Sequence, residues 1–322
     1  MKQWIAGLAG GVCLLSAQVV MANGFLDDPR AETLIEELAE EGLDADQVRD
    51  WLSRGEFLES TRTNIAAPTE RTSTWADYRP IFVNELSIER GREFMEEHAE
   101  TLARVESELG VDPRIVTAII GVETRYGRIT GNHAVMNAIG TTAFSDSPRS
   151  GYFMRELKAF FRLVHEEGVD PMTLTGSYAG AMGVPQFMPS SFLAYAIDFD
   201  DDGRRDIWNN PVDAIGSVAN YLAAHRWETG GPVAMRAHVD GDDFLDIVDN
   251  GQRRPHTTLG ETRQAGWSPV RPLEDGREVS TLRLEGEHGA EFWYGFQNFY
   301  VITRYNHSIS YAMAVYQLSR EF

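Results

Sequence analysis

The chain has 322 residues, 43% of them apolar, which suffices for a sizeable core in one large or two to three small domains. Its formal net charge of −20 argues against a nucleic-acid partner, which would need a basic face, and against docking on anionic lipid. Lys2 and Lys158 are the only lysines, so arginine carries nearly all the positive charge.

The first 22 residues read as a secretory signal. Lys2 opens it, an apolar run follows from Trp4 to Val20, and Val20-Met21-Ala22 is an acceptable cleavage site before Asn23. An uncleaved membrane anchor fits less well, because the run is short and rich in glycine. The single cysteine, Cys13, follows Val12 rather than a small residue, which disfavours lipid modification and leaves it within the signal. The expected mature chain is periplasmic and free of cysteine, and an oxidising compartment sets it no disulfide problem.

Leu34, Ile35 and Leu38, then Val48, Trp51 and Leu52, predict two short helices separated by Gly42. Residues 64–80 are rich in Thr, Ala, Pro and Arg and read as an extended connection. A long helix is expected from Ile88 to Leu109, stopped by Gly110. Asp112-Pro113 starts the next, with Asp as N-cap and Pro at the first helical position, and Gly127 is placed to end it. Helical patterns continue over Tyr152–Glu166 and Asp213–Trp227. From about 229 to 300 glycine, proline and short alternating runs predict a small β-rich insert, with Val279, Thr281, Arg283 and Glu285 opposing Ser280, Leu282 and Leu284. A helix over Ser310–Ser319 closes the chain.

In the helix opened by Asp112-Pro113, the spacing puts Ile115, Ile119, Glu123 and Tyr126 on one face. Glu123 is thereby expected on the buried side, near the helix C-terminus. Burial and the negative end of the helix dipole both favour the neutral carboxylic acid that a general acid requires. The alternative is a core glutamate paired with an arginine such as Arg125.

The segment Ile119-Ile120-Gly121-Val122-Glu123-Thr124-Arg125-Tyr126-Gly127 resembles the catalytic helix of the membrane-bound lytic transglycosylase B family, also called soluble lytic transglycosylase 35. Further matching blocks follow in order: Gly176 to Gly183 with Gln186 to Ser191, Pro211 to Tyr221, and Tyr300 to Ser308 with Tyr311 to Val315. The resemblance covers nearly all the mature chain. It implies a mainly α (α+β) protein, with a lysozyme-like helical core formed by 111–228 plus 300–322. Residues 23–110, joined by 150–175, would be an N-terminal helical domain, and 229–299 the β insert. It also implies cleavage of the β-1,4 bond between N-acetylmuramic acid and N-acetylglucosamine in peptidoglycan, with Glu123 as catalytic acid.

Ordinary glycosidases set two carboxylates across the bond. The matched segments near Glu123 offer no clear second one; the polar groups there are Ser177, Gln186, Tyr221, Tyr305, Asn306 and Tyr311. One carboxylate suffices if the 6-hydroxyl of the muramic acid attacks C1, giving a 1,6-anhydro end without consuming water. Ser177 and Gln186 are candidates to hold the N-acetyl or lactyl groups, and the tyrosines suit sugar faces, though they could equally be core aromatics. Val184-Pro185 before Gln186 departs from the family pattern.

Asp198-Phe199-Asp200-Asp201-Asp202-Gly203 has the opening of a calcium loop, with ligands expected from Asp198, Asp200, Asp202 and the carbonyl of Arg204. Position 12 is Asn209 instead of the usual glutamate. The resemblance implies a lengthened loop with Asp213 as its closing metal ligand. A structural calcium of about 10⁻⁴ M affinity is expected, and no cofactor for catalysis. A solvated acidic turn is the alternative. The expected partners are glycan strands and other cell-wall enzymes, around a monomer. The competing functions are a hydrolytic muramidase and a non-catalytic peptidoglycan-binding scaffold.

Overall fold

The computed structural model describes residues 23–61 and 74–322. The expected signal segment, the single cysteine and the start of the expected 64–80 connection lie outside the described residues.

Two short helices, α1 (Arg30–Glu40) and α2 (Ala45–Ser53), open the chain and flank Gly42 as the periodicity requires. Asp44 caps α2 by accepting from the amides of Asp46 and Gln47. Their apolar faces bury Leu34, Ile35, Leu38, Val48 and Leu52. Glu41 ties α1 to α8 (Ser150–Glu167) through Arg162 and Lys158.

The expected connection ends in a helix, α3 (Trp75–Phe82). Thr74 and Asp77 form a reciprocal capping box that fixes its start despite Pro80. Asn84 then serves two ends: its amide group donates to the carbonyls of Pro80 and Ile81, and its side-chain oxygen accepts from Ser87 N at the start of the next helix.

The single helix expected over 88–109 is broken. It runs as α4 (Glu85–Glu97), α5 (Ala99–Arg104) and a π turn over Val105–Leu109. His98 leaves the helical region at φ −110° and packs its ring 4.4 Å from Phe94. Gly110 stops the run with φ 68°, as expected.

Helix α6 (Pro113–Thr124) is the hub. Nine of its residues are buried, Ile115, Val116, Ile119 and Ile120 among them, and α4, α10 (Pro211–Ala224) and α13 (Ile309–Ser319) pack around it. Helix α7 (Val135–Ala143) is buried along its whole length and packs on α8. A two-stranded ribbon pairs β1 (His133–Ala134) with β2 (Thr175–Gly176), and α9 (Pro189–Tyr195) completes this half.

The insert is a five-stranded antiparallel sheet with strand order β4-β6-β7-β3-β5. Its strands are β3 (Ala234–Val239), β4 (Thr257–Thr258), β5 (Trp267–Pro269), β6 (Glu278–Gly286) and β7 (Gly289–Gly295), with α11 (Leu259–Gln264) after β4. Alternation gives the sheet two apolar faces. One holds a separate small core of Met235, Leu259, Trp267, Val279, Tyr294 and Phe296. The other sends Leu282, Leu284 and Trp293 into the main core, against α3. Phe296 N donates to Val233 O at 3.0 Å, so the insert begins and ends at one hydrogen bond. Helices α12 (Gln297–Tyr305) and α13 return to the hub. The described residues are thus mainly helical, with a five-stranded sheet and a two-stranded ribbon, and no helix among them is long and apolar enough to cross a membrane.

Candidate active site

The way α6 starts and stops places Glu123. Asp112 accepts from Arg114 N, and Pro113 takes the first helical position. Ile115 and Ile119 face the core, and Glu123 follows one turn later, half-buried, as the last residue but one.

The backbone then enters the left-handed region for three residues, Arg125 (φ 52°), Tyr126 (φ 61°) and Gly127 (φ 77°). The stop expected at Gly127 therefore falls two residues early, at Arg125. Two non-glycine residues in this region cost roughly 1–3 kcal/mol each, so the surroundings must hold them. Tyr126 folds back over Gly121, where an added Cβ would lie 2.6 Å from its ring, and donates its hydroxyl to Ser87 O at 2.6 Å. Arg125 sets its guanidinium 5.2 Å from the centre of the Phe82 ring and donates to Ser87 Oγ at 3.3 Å. Thr124 Oγ1 accepts from Gly127 N at 3.0 Å. Tyr126 consequently leaves the face it was expected to share with Glu123.

Tyr311, near the start of α13, donates its hydroxyl to Glu123 Oε1 at 2.7 Å. Burial, reinforced by the charge of Glu123, pushes the phenols of Tyr311 and Tyr305 well above their ordinary range. Both stay hydrogen-bond donors at any physiological pH. Tyr78, on α3, also bears on Tyr311; nothing in the sequence around it had pointed to this site.

The Gln186 segment is clamped to the same place. Thr124 Oγ1 donates to Val184 O at 3.1 Å, and Tyr305 donates to Pro185 O at 2.6 Å. Gln186 adopts φ 53°, a strained conformation stabilised by its own side chain, whose Nε2 donates to Thr130 O (3.1 Å) and Gly183 O (2.9 Å). Ser177 stands one strand further out and is linked through the Gly176–Met182 and Met182–Phe187 bridges. Its Oγ accepts from the amides of Ala179 (3.3 Å) and Ala181 (3.1 Å) and so shapes its own turn. Asn306 accepts from Ser308 N at 3.1 Å and sets the turn between α12 and α13.

Of the two readings open for the tyrosines, Tyr221 and Tyr311 take that of core aromatics. Tyr221 and Tyr311 are only 8% and 2% exposed, so their ring faces belong to the core. The Tyr221 hydroxyl donates to Arg304 O at 2.5 Å, and its ring lies 4.8 Å from that of Tyr305, 4.7 Å from Tyr195 and 4.2 Å from His225. The half-buried Tyr305 is thus held from behind by Tyr221.

In the acidic loop, among the described residues, Asp198, Asp200 and Asp202 each bring an oxygen within 4.8 Å of the others. The backbone wraps around them: Asp198 accepts from Asp202 N (3.0 Å) and Gly203 N (2.7 Å), and Asp202 accepts from Arg204 N (2.9 Å). Three convergent carboxylates fit a hard divalent cation with oxygen ligands. Asp213 stands apart from the trio. It is fully buried, its oxygens accept from Phe199 N (2.8 Å) and Asp206 N (2.9 Å), and burial pushes its carboxyl above the usual range. In this structure it closes the loop through amides. Arg205 turns away to Glu166 and Glu167 on α8, which neutralises it.

Comparison with known proteins agrees with this geometry. The family described as Transglycosylase SLT domain matches residues 27–320. The chain is 38% identical to the membrane-bound lytic murein transglycosylase B of Escherichia coli, over 97% of this chain and 88% of that protein. The crystal structure of the soluble lytic transglycosylase SltB1 from Pseudomonas aeruginosa superposes with a TM-score of 0.86 at 46% identity, covering 91% of this chain and 98% of that one. The Escherichia coli lytic transglycosylase Slt35 in complex with calcium superposes with a TM-score of 0.84 at 38% identity, covering 95% and 96%. A helical core with a small sheet, a glutamate at the end of its central helix, and sequence likeness over almost the whole chain together assign the protein to the lytic murein transglycosylases, the family of peptidoglycan lyases.

Proposed function

We propose that the chain cleaves the β-1,4 bond between N-acetylmuramic acid and N-acetylglucosamine in the periplasm, with Glu123 acting first as acid and then as base. The proton of Glu123 goes to the leaving glycosidic oxygen as the bond to C1 breaks. The resulting carboxylate takes the proton of the muramic 6-hydroxyl, whose oxygen closes on C1. The product carries a 1,6-anhydro ring, and Glu123 regains its proton. No water is consumed.

The observation that carries this reading is the 2.7 Å hydrogen bond from Tyr311 to Glu123 at the end of a buried helix. It fixes the carboxyl and offers a donor to the anion formed mid-reaction, where charge-assisted hydrogen bonds are strongest. Tyr305, the Gln186 segment and Asn306 would order the reacting ring, and Ser177 would shape the loop beside it. The acidic loop would hold a calcium through Asp198, Asp200, Asp202 and the Arg204 carbonyl, with Asp213 locking the loop from behind. The metal would brace the fold and supply no chemistry to the bond.

The test digests peptidoglycan with the wild type and with Glu123→Gln. Wild type should release ends lighter by one water than reducing sugar, as read by mass spectrometry, and Glu123→Gln should release none while still binding glycan. Turnover by the variant, or reducing ends from the wild type, would refute the mechanism.

A further inference from the structure

The acidic loop and the substrate loops touch at one leg, residues 206–208. Asp206 is anchored by Asp213, which accepts its amide at 2.9 Å. Asp206 Oδ1 in turn accepts from Trp208 N at 3.0 Å. From there two links reach the site. The indole Nε1 of Trp208 donates to Thr175 O at 2.9 Å, on the strand that leads through Gly176 into Ser177. Ile207 O accepts from Val184 N at 2.9 Å, two residues before Gln186. Contact at the second link is tight: an added Cβ on Gly183 would lie 2.6 Å from Ile207 O.

The Trp208 ring stands between two cavities of about 280 and 380 Å³ and rests 5.7 Å from Phe192. The ring is half-buried, packed on the edge of the main core, and the Thr175 bond is the polar contact that fixes the indole. Core packing accounts for the ring but not for the N–H, which is spent on a neighbouring loop. Its placement suits a strut between two loops.

We propose that Trp208 is a positioning residue that carries the state of the acidic loop to Ser177 and Gln186, so that filling Asp198, Asp200 and Asp202 with calcium tightens glycan binding. This rests on the calcium and substrate assignments made above. The path runs from the carboxylate trio through Gly203 and Arg204 to Asp206, and from Asp206 through Trp208 and Ile207 to the two loops. Glu123 is not on it. A coupling of this kind appears in binding affinity, because the carboxyl that does the chemistry is fixed separately by Tyr311.

The experiment uses the full chain in the Glu123→Gln background, so that affinity is measured without turnover. Binding of a GlcNAc–MurNAc tetrasaccharide is followed by calorimetry with calcium and with chelator, and the melting temperature is recorded in both. Calcium should raise the melting temperature and tighten binding by about fivefold or more, the lower end of coupling between linked sites. Adding Trp208→Phe should keep the thermal shift but reduce the gain in affinity to below about twofold, since the ring remains and the donor is lost. If Trp208→Phe does not fold, benzothienylalanine at 208 replaces the indole with an isosteric ring that has no N–H. A full calcium gain in either variant overturns the proposal. So does a calcium-dependent melting temperature with unchanged affinity in the Glu123→Gln parent. Absence of any thermal shift overturns the metal assignment and this inference with it, and leaves the Glu123 mechanism, tested by its products, standing separately.

Discussion

Replacing Tyr311 by Phe isolates one atom of the site. The side chain is 2% exposed and its hydroxyl lies 2.7 Å from Glu123 Oε1, so the substitution removes a donor and leaves the ring in its packing. A hydrogen bond to a charged group contributes about 1.5–3 kcal/mol. It matters most after Glu123 has given up its proton, so its loss should fall on kcat, by about 10- to 100-fold at 1.4 kcal/mol per decade, with little change in KM. Donation to a carboxylate favours the ionised form. Without it the alkaline limb of the kcat profile should move to higher pH, because the acid keeps its proton longer. Initial rates of anhydro-end release from pH 4 to pH 9, with the thermal midpoint as control, give both quantities. An unchanged kcat in a folded variant, or an alkaline limb moving to lower pH, would show that Tyr311 does not stabilise the carboxylate.

Gly183→Ala should unfold more readily: at φ 62° its Cβ would lie 2.6 Å from Ile207 O, and left-handed strain with overpacking totals roughly 2–4 kcal/mol, visible as a melting temperature lower by about 5 °C or more. A melting temperature within a degree of wild type would contradict the tight contact between the two loops. Glu41 is held down to about 2 by Arg162 first and Lys158 second. Because the folded value is depressed, the stabilisation is complete above about pH 4.5 and fades as pH falls toward 2; after screening at this exposed site it amounts to about 1 kcal/mol. Urea unfolding of Glu41→Gln should therefore show a deficit against wild type at pH 7 that shrinks below pH 4, and a deficit constant with pH would remove the ion pair as its source.

The parts legible in the sequence are those that depend on local chemistry. Asp112-Pro113 and Gly110 mark the borders of α6 because capping and a left-handed stop act within a few residues. The acidic loop is readable because its ligand spacing is local. Helix α7 escaped because Val135 to Ala143 are buried all round and carry no polar face to set a period. The break at His98 was invisible because Glu-Glu-His-Ala-Glu contains no helix breaker, and the ring contact with Phe94, four residues earlier, is one that an unbroken helix would also allow. At the site, Glu123 was readable from its helix, but the departure of Tyr126 was not, since the pull comes from Ser87, far away along the chain. Tyr78 and Trp208 gave no local signal either, because the partner of the first, Tyr311, stands near the other end of the chain and that of the second, Thr175, lies 33 residues away on another loop.

The hydrogen bond from Phe296 to Val233 makes the sheet a cassette. Its two chain ends leave the helical body side by side, so its length and loops can change without moving α10 relative to α12. What any replacement must supply is a lid: Leu282, Leu284 and Trp293 seal one flank of the main core over α3. Variation in this module is therefore freest in the loops beside its two edge strands, β4 and β5, and constrained where it shelters the helix that carries Tyr78.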